Sequence, residues 1–265
     1  MEAGEAVVGE VLYEVQGPQA HLTINRPKAR NALSPTVVKA LMDGLERAEA
    51  DPSVRVVVLT GAGEKVFCAG GDLGQMVGDG GFLATHEGRR SYGKLLTRFQ
   101  EARKPTVARV NGHALAGGLG LVLACDLAVA VETADFGTPE IDVGLFPMMM
   151  MALLQRHVGR KRALELVLTG DRLPARDALA LGLVNRVVPA SELDAAVAAL
   201  AGKLAGKSQA VLALGRRAFF TAEDLPLPAA LEFLASQLSL NVLADDAGEG
   251  VSAFMEKRAP KWNDR

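Results

Sequence analysis

The feature that most limits how this chain can fold is the stretch Asn111-Gly112-His113-Ala114-Leu115-Ala116-Gly117-Gly118-Leu119-Gly120. An apolar strand pattern, Thr106 to Val110, runs into this loop of glycine and alanine. An apolar helix pattern, Leu119 to Ala124, leaves it and closes at Cys125-Asp126. Glycines at a strand-to-helix junction let the backbone approach a ligand, and the first N–H groups of a helix have no partner inside it. Such a junction suits a phosphate, or an oxyanion that develops on a carbonyl during reaction. The phosphate motifs lack their residues: Gly118-x-Gly120 followed by Leu123 misses the third glycine of the dinucleotide fingerprint. No Gly-Lys-Ser/Thr follows for a P-loop, and the similar Gly61-Ala62-Gly63 ends in Val66. An oxyanion pocket remains, and so does a tight turn with close helix packing.

Further on, Phe136-Gly137-Thr138-Pro139-Glu140-Ile141-Asp142-Val143-Gly144-Leu145-Phe146-Pro147 sets Glu140 among apolar and turn-forming residues. Apolar surroundings raise a carboxyl pKa, which suits a proton shuttle near neutral pH. A Glu beside a Pro is more often a solvated turn residue or a helix N-terminal charge. Cys68-Ala69-Gly70-Gly71-Asp72 is a second glycine junction.

Around these stretches the pattern is layered. Val7 to Val15 and Ala20 to Ile24 predict two strands, and Ser34-Pro35 predicts the start of a helix that Asp51-Pro52 ends. Val54 to Leu59 is a near-continuous apolar run, as in a strand covered on both faces. Gly74 to Gly88 predicts a mobile loop, followed by a helix from Arg89 to Arg103. Met148-Met149-Met150-Met151 predicts core packing on a helix. Near residue 190 the alternation of strands and helices gives way to helices alone. The expected organisation is α/β over residues 1–190, then an all-helical region over 191–265.

The charge balance, 29 basic against 31 acidic residues, argues against a nucleic-acid partner. Cys68 and Cys125 suggest no disulfide framework, and the acidic start Met1-Glu2-Ala3-Gly4-Glu5 lacks the order of a signal peptide. No apolar run reaches the roughly 18 residues of a membrane span. A cytoplasmic protein without metal, membrane or nucleic-acid partner is expected.

Phe67-Cys68-Ala69-Gly70-Gly71-Asp72, the Asn111 to Gly118 motif, Cys125-Asp126 and Phe136 to Glu140 stand in an order and spacing that resemble the enoyl-CoA hydratase/isomerase (crotonase) family. Asn25-Arg26-Pro27-Lys28-Ala29-Arg30-Asn31-Ala32-Leu33, Leu168-Thr169-Gly170, Gly182-Leu183-Val184 and Glu249-Gly250-Val251-Ser252-Ala253-Phe254 extend the resemblance to nearly the whole chain. It implies a crotonase-like spiral of β-β-α turns with a C-terminal helical trimerisation region, assembled as a trimer or a dimer of trimers. The implied catalytic groups are Glu140 and the Gly71 and Gly117 amides, which form the oxyanion hole. Implied CoA contacts are Lys28, Ala29, Arg30, Ala69, Gly70, Asp72, Leu73 and Gly118, with Phe254 and Lys257 meeting the CoA of a neighbouring subunit. The acyl pocket is expected to involve His113, Gly120, Met148 and Met149, with no cofactor beyond the CoA thioester of the substrate.

The family's hydratases carry two glutamates, and at the position of the first this chain has Gly120. A single base can still move a proton from C2 to C4 through a thioester enolate. Double-bond isomerisation is therefore the leading expectation. The alternatives are a hydratase with a substitute group such as His113, and a non-catalytic CoA-binding protein.

Overall fold

The computed structural model describes residues 9–76 and 81–265. Strand β1 (Val11–Gln16) turns through Gly17, at φ +57°, into the antiparallel β2 (Gln19–Ile24). Helix α1 (Pro35–Ala50) begins where Ser34 Oγ accepts from Val37 N, with Pro35 in its first turn, as the sequence predicts.

Three similar turns of chain follow. The first runs β3 (Val56–Gly61), β4 (Val66–Cys68), α2 (Leu73–Met76) and α3 (Gly81–Glu101). The second is β5 (Thr106–Val110), β6 (His113–Leu115) and α4 (Gly117–Ala124), and the third β7 (Leu127–Val131), β8 (Asp135–Gly137) and α5 (Met150–His157). Then come α6 (Arg160–Thr169), β9 (Arg172–Pro174), α7 (Ala175–Ala180) and β10 (Arg186–Val188), and the helices α8 (Leu193–Ala205), α9 (Gln209–Glu223), α10 (Leu227–Asn241) and α11 (Asp245–Met255). In each turn the longer strand joins one sheet, ordered β1-β2-β3-β5-β7-β10, and the shorter joins a second, ordered β4-β6-β8-β9. Every pairing is parallel except β1 with β2 and β8 with β9. This is the β-β-α spiral. Every residue of β3 is buried, as its unbroken apolar run requires of a strand covered on both faces.

The corners between long and short strands are tied by two buried asparagines. Asn111 Nδ2 donates to Gly63 O at 2.7 Å, and its Oδ1 accepts from Gly61 N at 3.1 Å. Asn31, itself at φ +55°, donates to Ala62 O and Val66 O at 3.0 and 2.8 Å. These side chains satisfy backbone groups where the chain leaves the sheet. Glycine is required beside them, because a Cβ on Gly112 would lie 2.2 Å from the Lys65 carbonyl carbon.

One expectation changes. Most of the predicted Gly74 to Gly88 loop is helix: α2 ends at Met76 and α3 starts at Gly81, while residues 77–80 lie outside the described residues, as do Val7 and Val8 of the first predicted strand. Leu95, Leu96 and Phe99 anchor the far half of α3 in the core, and its exposed first turns extend from that anchor. In addition, α8 packs on β3, β5 and β7, so the first helix after residue 190 covers the large sheet.

Helix α9 is held to the core by a nearly buried ion pair. Arg216 Nη2 and Nε reach the two Asp126 oxygens at 2.6 and 2.9 Å, and Asp126 Oδ2 also accepts from Thr106 N at 2.7 Å. The side chains are 10% and 17% exposed. Breaking such a pair from one side leaves a desolvated charge, so Arg216→Ala is expected to destabilise the fold by about 3 kcal/mol, read as a lowered denaturation midpoint.

Candidate active site

The small sheet gathers the candidate residues. Because β4, β6 and β8 are parallel, with Cys68 opposite Ala114 and Leu115 opposite Gly137, their C-terminal ends share one edge. From that edge emerge Ala69-Gly70-Gly71, Ala116-Gly117-Gly118 and Thr138-Pro139-Glu140. The two glycine junctions touch. A Cβ on Gly70 would fall 2.4 Å from Ala116 Cβ and 3.1 Å from Gly117 N, and one on Gly118 would fall 2.2 Å from Cys68 O. Side chains at either position would push the loops apart. Ala116 takes φ +52° and ψ −130°, a region that favours glycine, and starts α4 abruptly at Gly117.

Among the described residues, neither Gly71 N nor Gly117 N donates to a protein acceptor. The Gly71 segment is fixed by its neighbours: Leu33 N donates to Gly70 O at 2.8 Å, and Asp72 N to Leu33 O at 3.0 Å. Ala116 N donates to Gly137 O at 2.8 Å, tying the second junction to the third.

Glu140 lies in a short 3-10 helix, Pro139–Val143, whose base is fixed by the buried Thr138 hydroxyl donating to Leu166 O at 2.7 Å. Its Oε2 is buried without a hydrogen-bond partner among the described residues, and burial pushes its pKa up. Asp142 is exposed and lies near Gly170, at the end of α6.

One residue that sequence reasoning did not single out belongs here. Tyr92, on α3, donates its hydroxyl to Gly117 O at 2.7 Å. Burial pushes its pKa well up, and the nearby Cys68 and Glu140 add to the rise. The Cys68 thiol is itself pushed up to about 12 by burial. A glycine inside a buried apolar helix needs a neighbour to fill its space. Nothing local in the sequence says that Tyr92 is that neighbour, because it stands 25 positions before Gly117.

Other candidates scatter. Lys28, Ala29 and Arg30 form an exposed turn that meets the first junction, with Ala69 N donating to Arg30 O at 3.1 Å. Asp72 instead pairs with Arg26 at 2.9 Å, and Arg26 also holds Glu10 at 2.8 Å, so this carboxylate braces the loop; Leu73 beside it is exposed. His113 starts β6, at the end away from Gly117, and its Nδ1 accepts from Asp135 N at 3.0 Å. The methionine expectation also shifts: Met148 is 61% exposed and Met149 Sδ lies near Gly93, while the buried Met150 packs beside Gly120. Phe254, 81% exposed, and Lys257 lie at the end of α11, which packs on α9. No group of three or more metal-ligating side chains is found among the described residues, and no single helix there is long and apolar enough to cross a membrane.

Comparison with known proteins adds to this geometry. A family model described as enoyl-CoA hydratase/isomerase matches residues 15–265. The chain is 38% identical to the 2,3-dehydroadipyl-CoA hydratase of Escherichia coli, over 97% of this chain and 100% of that protein. It is 35% identical to the short-chain-enoyl-CoA hydratase of Clostridium acetobutylicum, over 95% and 96% of the two. The crystal structure of an enoyl-CoA hydratase from Mycobacterium smegmatis matches with a TM-score of 0.91 at 38% identity, covering 95% of this chain and 98% of that one.

Glu140 provides a test of its own surroundings. A carboxyl whose pKa is raised by folding contributes most stability below its unfolded pKa and loses it as pH rises through the folded value. Glu140→Gln is therefore expected to raise the melting temperature at pH 7. The gain should shrink as pH falls towards the ordinary carboxylate range, in paired scans of both proteins.

Proposed function

The chain belongs to the enoyl-CoA hydratase/isomerase family, and on that premise we propose that it shifts the double bond of an enoyl-CoA, with Glu140 as the one acid and base. The observation that carries this reading is the buried Oε2 of Glu140, which like the Gly71 and Gly117 amides of the two adjoining loops has no partner among the described residues, with Gly120 where a second carboxylate would be needed.

In this reading the Gly71 and Gly117 N–H groups receive the thioester oxygen. Their hydrogen bonds strengthen as charge develops there, which lowers the barrier to forming the enolate. Glu140 takes a proton from C2 and returns it to C4. Its raised pKa brings it closer to the operating pH, where a group that must both accept and donate works best. The nucleotide end of CoA lies along Lys28, Ala29, Arg30 and Ala69, a surface already assembled by the Ala69 to Arg30 hydrogen bond. The substrate's own thioester is the electron sink, and no further cofactor is assigned.

Hydration is the second reading, favoured by the names of the relatives. Supplying 3-enoyl-CoA and 2-enoyl-CoA separately discriminates the two. The expected result is faster isomerisation of the first than water addition to the second, with Glu140→Gln slowing isomerisation about 10³-fold at little change in KM. A higher rate of 3-hydroxyacyl-CoA formation would assign the chain to hydration instead.

The same proposal includes assembly into trimers, singly or in pairs. On α10, Leu227, Leu231, Leu234 and Leu238 recur at helical spacing and all are exposed. An apolar groove of about 610 Å³ runs beside them, between α9 and α10. Burying that face needs other copies of the chain, which would also bring Phe254 and Lys257 to a neighbour's CoA. Leu231→Glu with Leu238→Glu is expected to reduce a mass several times the 27.8 kDa chain to that of one chain, measured by light scattering.

A further inference from the structure

The space beside Gly120 is already taken. A Cβ at Gly120 would fall 2.1 Å from the Tyr92 hydroxyl and 3.0 Å from Met150 Cγ, so no side chain fits there while Tyr92 holds its place. The hydroxyl is fixed by its 2.7 Å bond to Gly117 O, and with that proton committed its oxygen can only accept. Buried beside Cys68 and Glu140, the phenol stays neutral, so it cannot take a proton from water. Water addition to an enoyl thioester needs a water held at C3 and relieved of a proton. Here the second base is missing, and a neutral ring occupies its place.

We propose that Tyr92 sets the reaction outcome: its hydroxyl, pinned on Gly117, closes the space beside Gly120 to a nucleophilic water and steadies the first turn of α4. This rests on the isomerase-type reading above. In the step that is kept, the C2–H bond breaks to the Glu140 carboxylate, the electron pair enters the thioester as a dienolate, and the proton bonds to C4. Nothing is gained or lost. In the step that is excluded, water oxygen bonds to C3 and a proton to C2, and the product is heavier by one water. Tyr92 acts on the first step through Gly117 and is a positioning residue there; on the second it acts by exclusion.

Three variants of the full chain test this: Tyr92→Phe, Tyr92→Ala and the pair Tyr92→Ala with Gly120→Glu. Tyr92→Phe keeps the ring. It is expected to lower kcat for isomerisation about tenfold with KM within about twofold, less than the hundredfold or more typical of deleting an oxyanion donor outright. It should also reduce the red shift of a bound conjugated acyl-CoA chromophore, which reports polarisation of the thioester carbonyl. Tyr92→Ala, and more so the pair, should raise the ratio of 3-hydroxyacyl-CoA to isomerised product at least about tenfold. An unchanged ratio in both, with the wild-type circular dichroism spectrum retained, overturns the exclusion. An unchanged kcat and chromophore shift in Tyr92→Phe overturns the positioning role. Failure of the underlying reading shows separately, as absence of Glu140-dependent exchange of the acyl α-hydrogen with deuterated water in the wild type.

Discussion

The site depends on the contact between two loops that carry no side chains where they meet. Gly118 lies against the Cys68 carbonyl and Gly70 against Ala116, so that two backbones approach more closely than any Cβ allows. Glycine in such places loses more conformational freedom on folding than other residues do, and Ala116 adds a dihedral strain of order 1–3 kcal/mol. The parallel register of β4, β6 and β8 holds the loops to this arrangement. A one-residue slip in any of the three would move a junction off the common edge.

The same edge sets the electrostatics. Glu140, Tyr92 and Cys68 all have their proton-bound forms favoured by burial, and among the described residues no cation is bonded to any of the three. Unlike Asp126, whose oxygens are met by Arg216, Glu140 has no partner at Oε2 among the described residues. An unpaired carboxyl in a desolvated corner is a cost to the fold, and it is also what a proton carrier requires. The large sheet and its helices supply the rigidity that tolerates this cost.

The longer elements were legible in the sequence because they bury a continuous face. The Val56–Gly61 strand and the Pro35–Ala50 helix show the periodicity and caps that burial demands. The strands β4, β6, β8 and β9 have three residues each, too few for a period to be read, yet they hold the site. Glu140 and the two glycine junctions were recognisable through local composition and motif order. The bond from Asp135 N to His113 Nδ1 was not legible, because the two residues stand on different strands 22 positions apart. Tyr92 was invisible for a related reason: it reaches Gly117 from a helix 25 positions earlier, and no local pattern encodes that approach.

The corner at Asn111 has a consequence for the lifetime of the molecule. Close approach of Lys65 demands glycine after this asparagine, and Asn-Gly is the dipeptide whose side-chain amide cyclises and hydrolyses most readily in a free chain. In the fold that amide is buried and held by Gly63 O and Gly61 N, which opposes the rotation that cyclisation needs. Ageing of this corner is thus paced by transient opening of the sheet. Each conversion to aspartate would set a carboxylate against a carbonyl oxygen, so damage there favours the next opening.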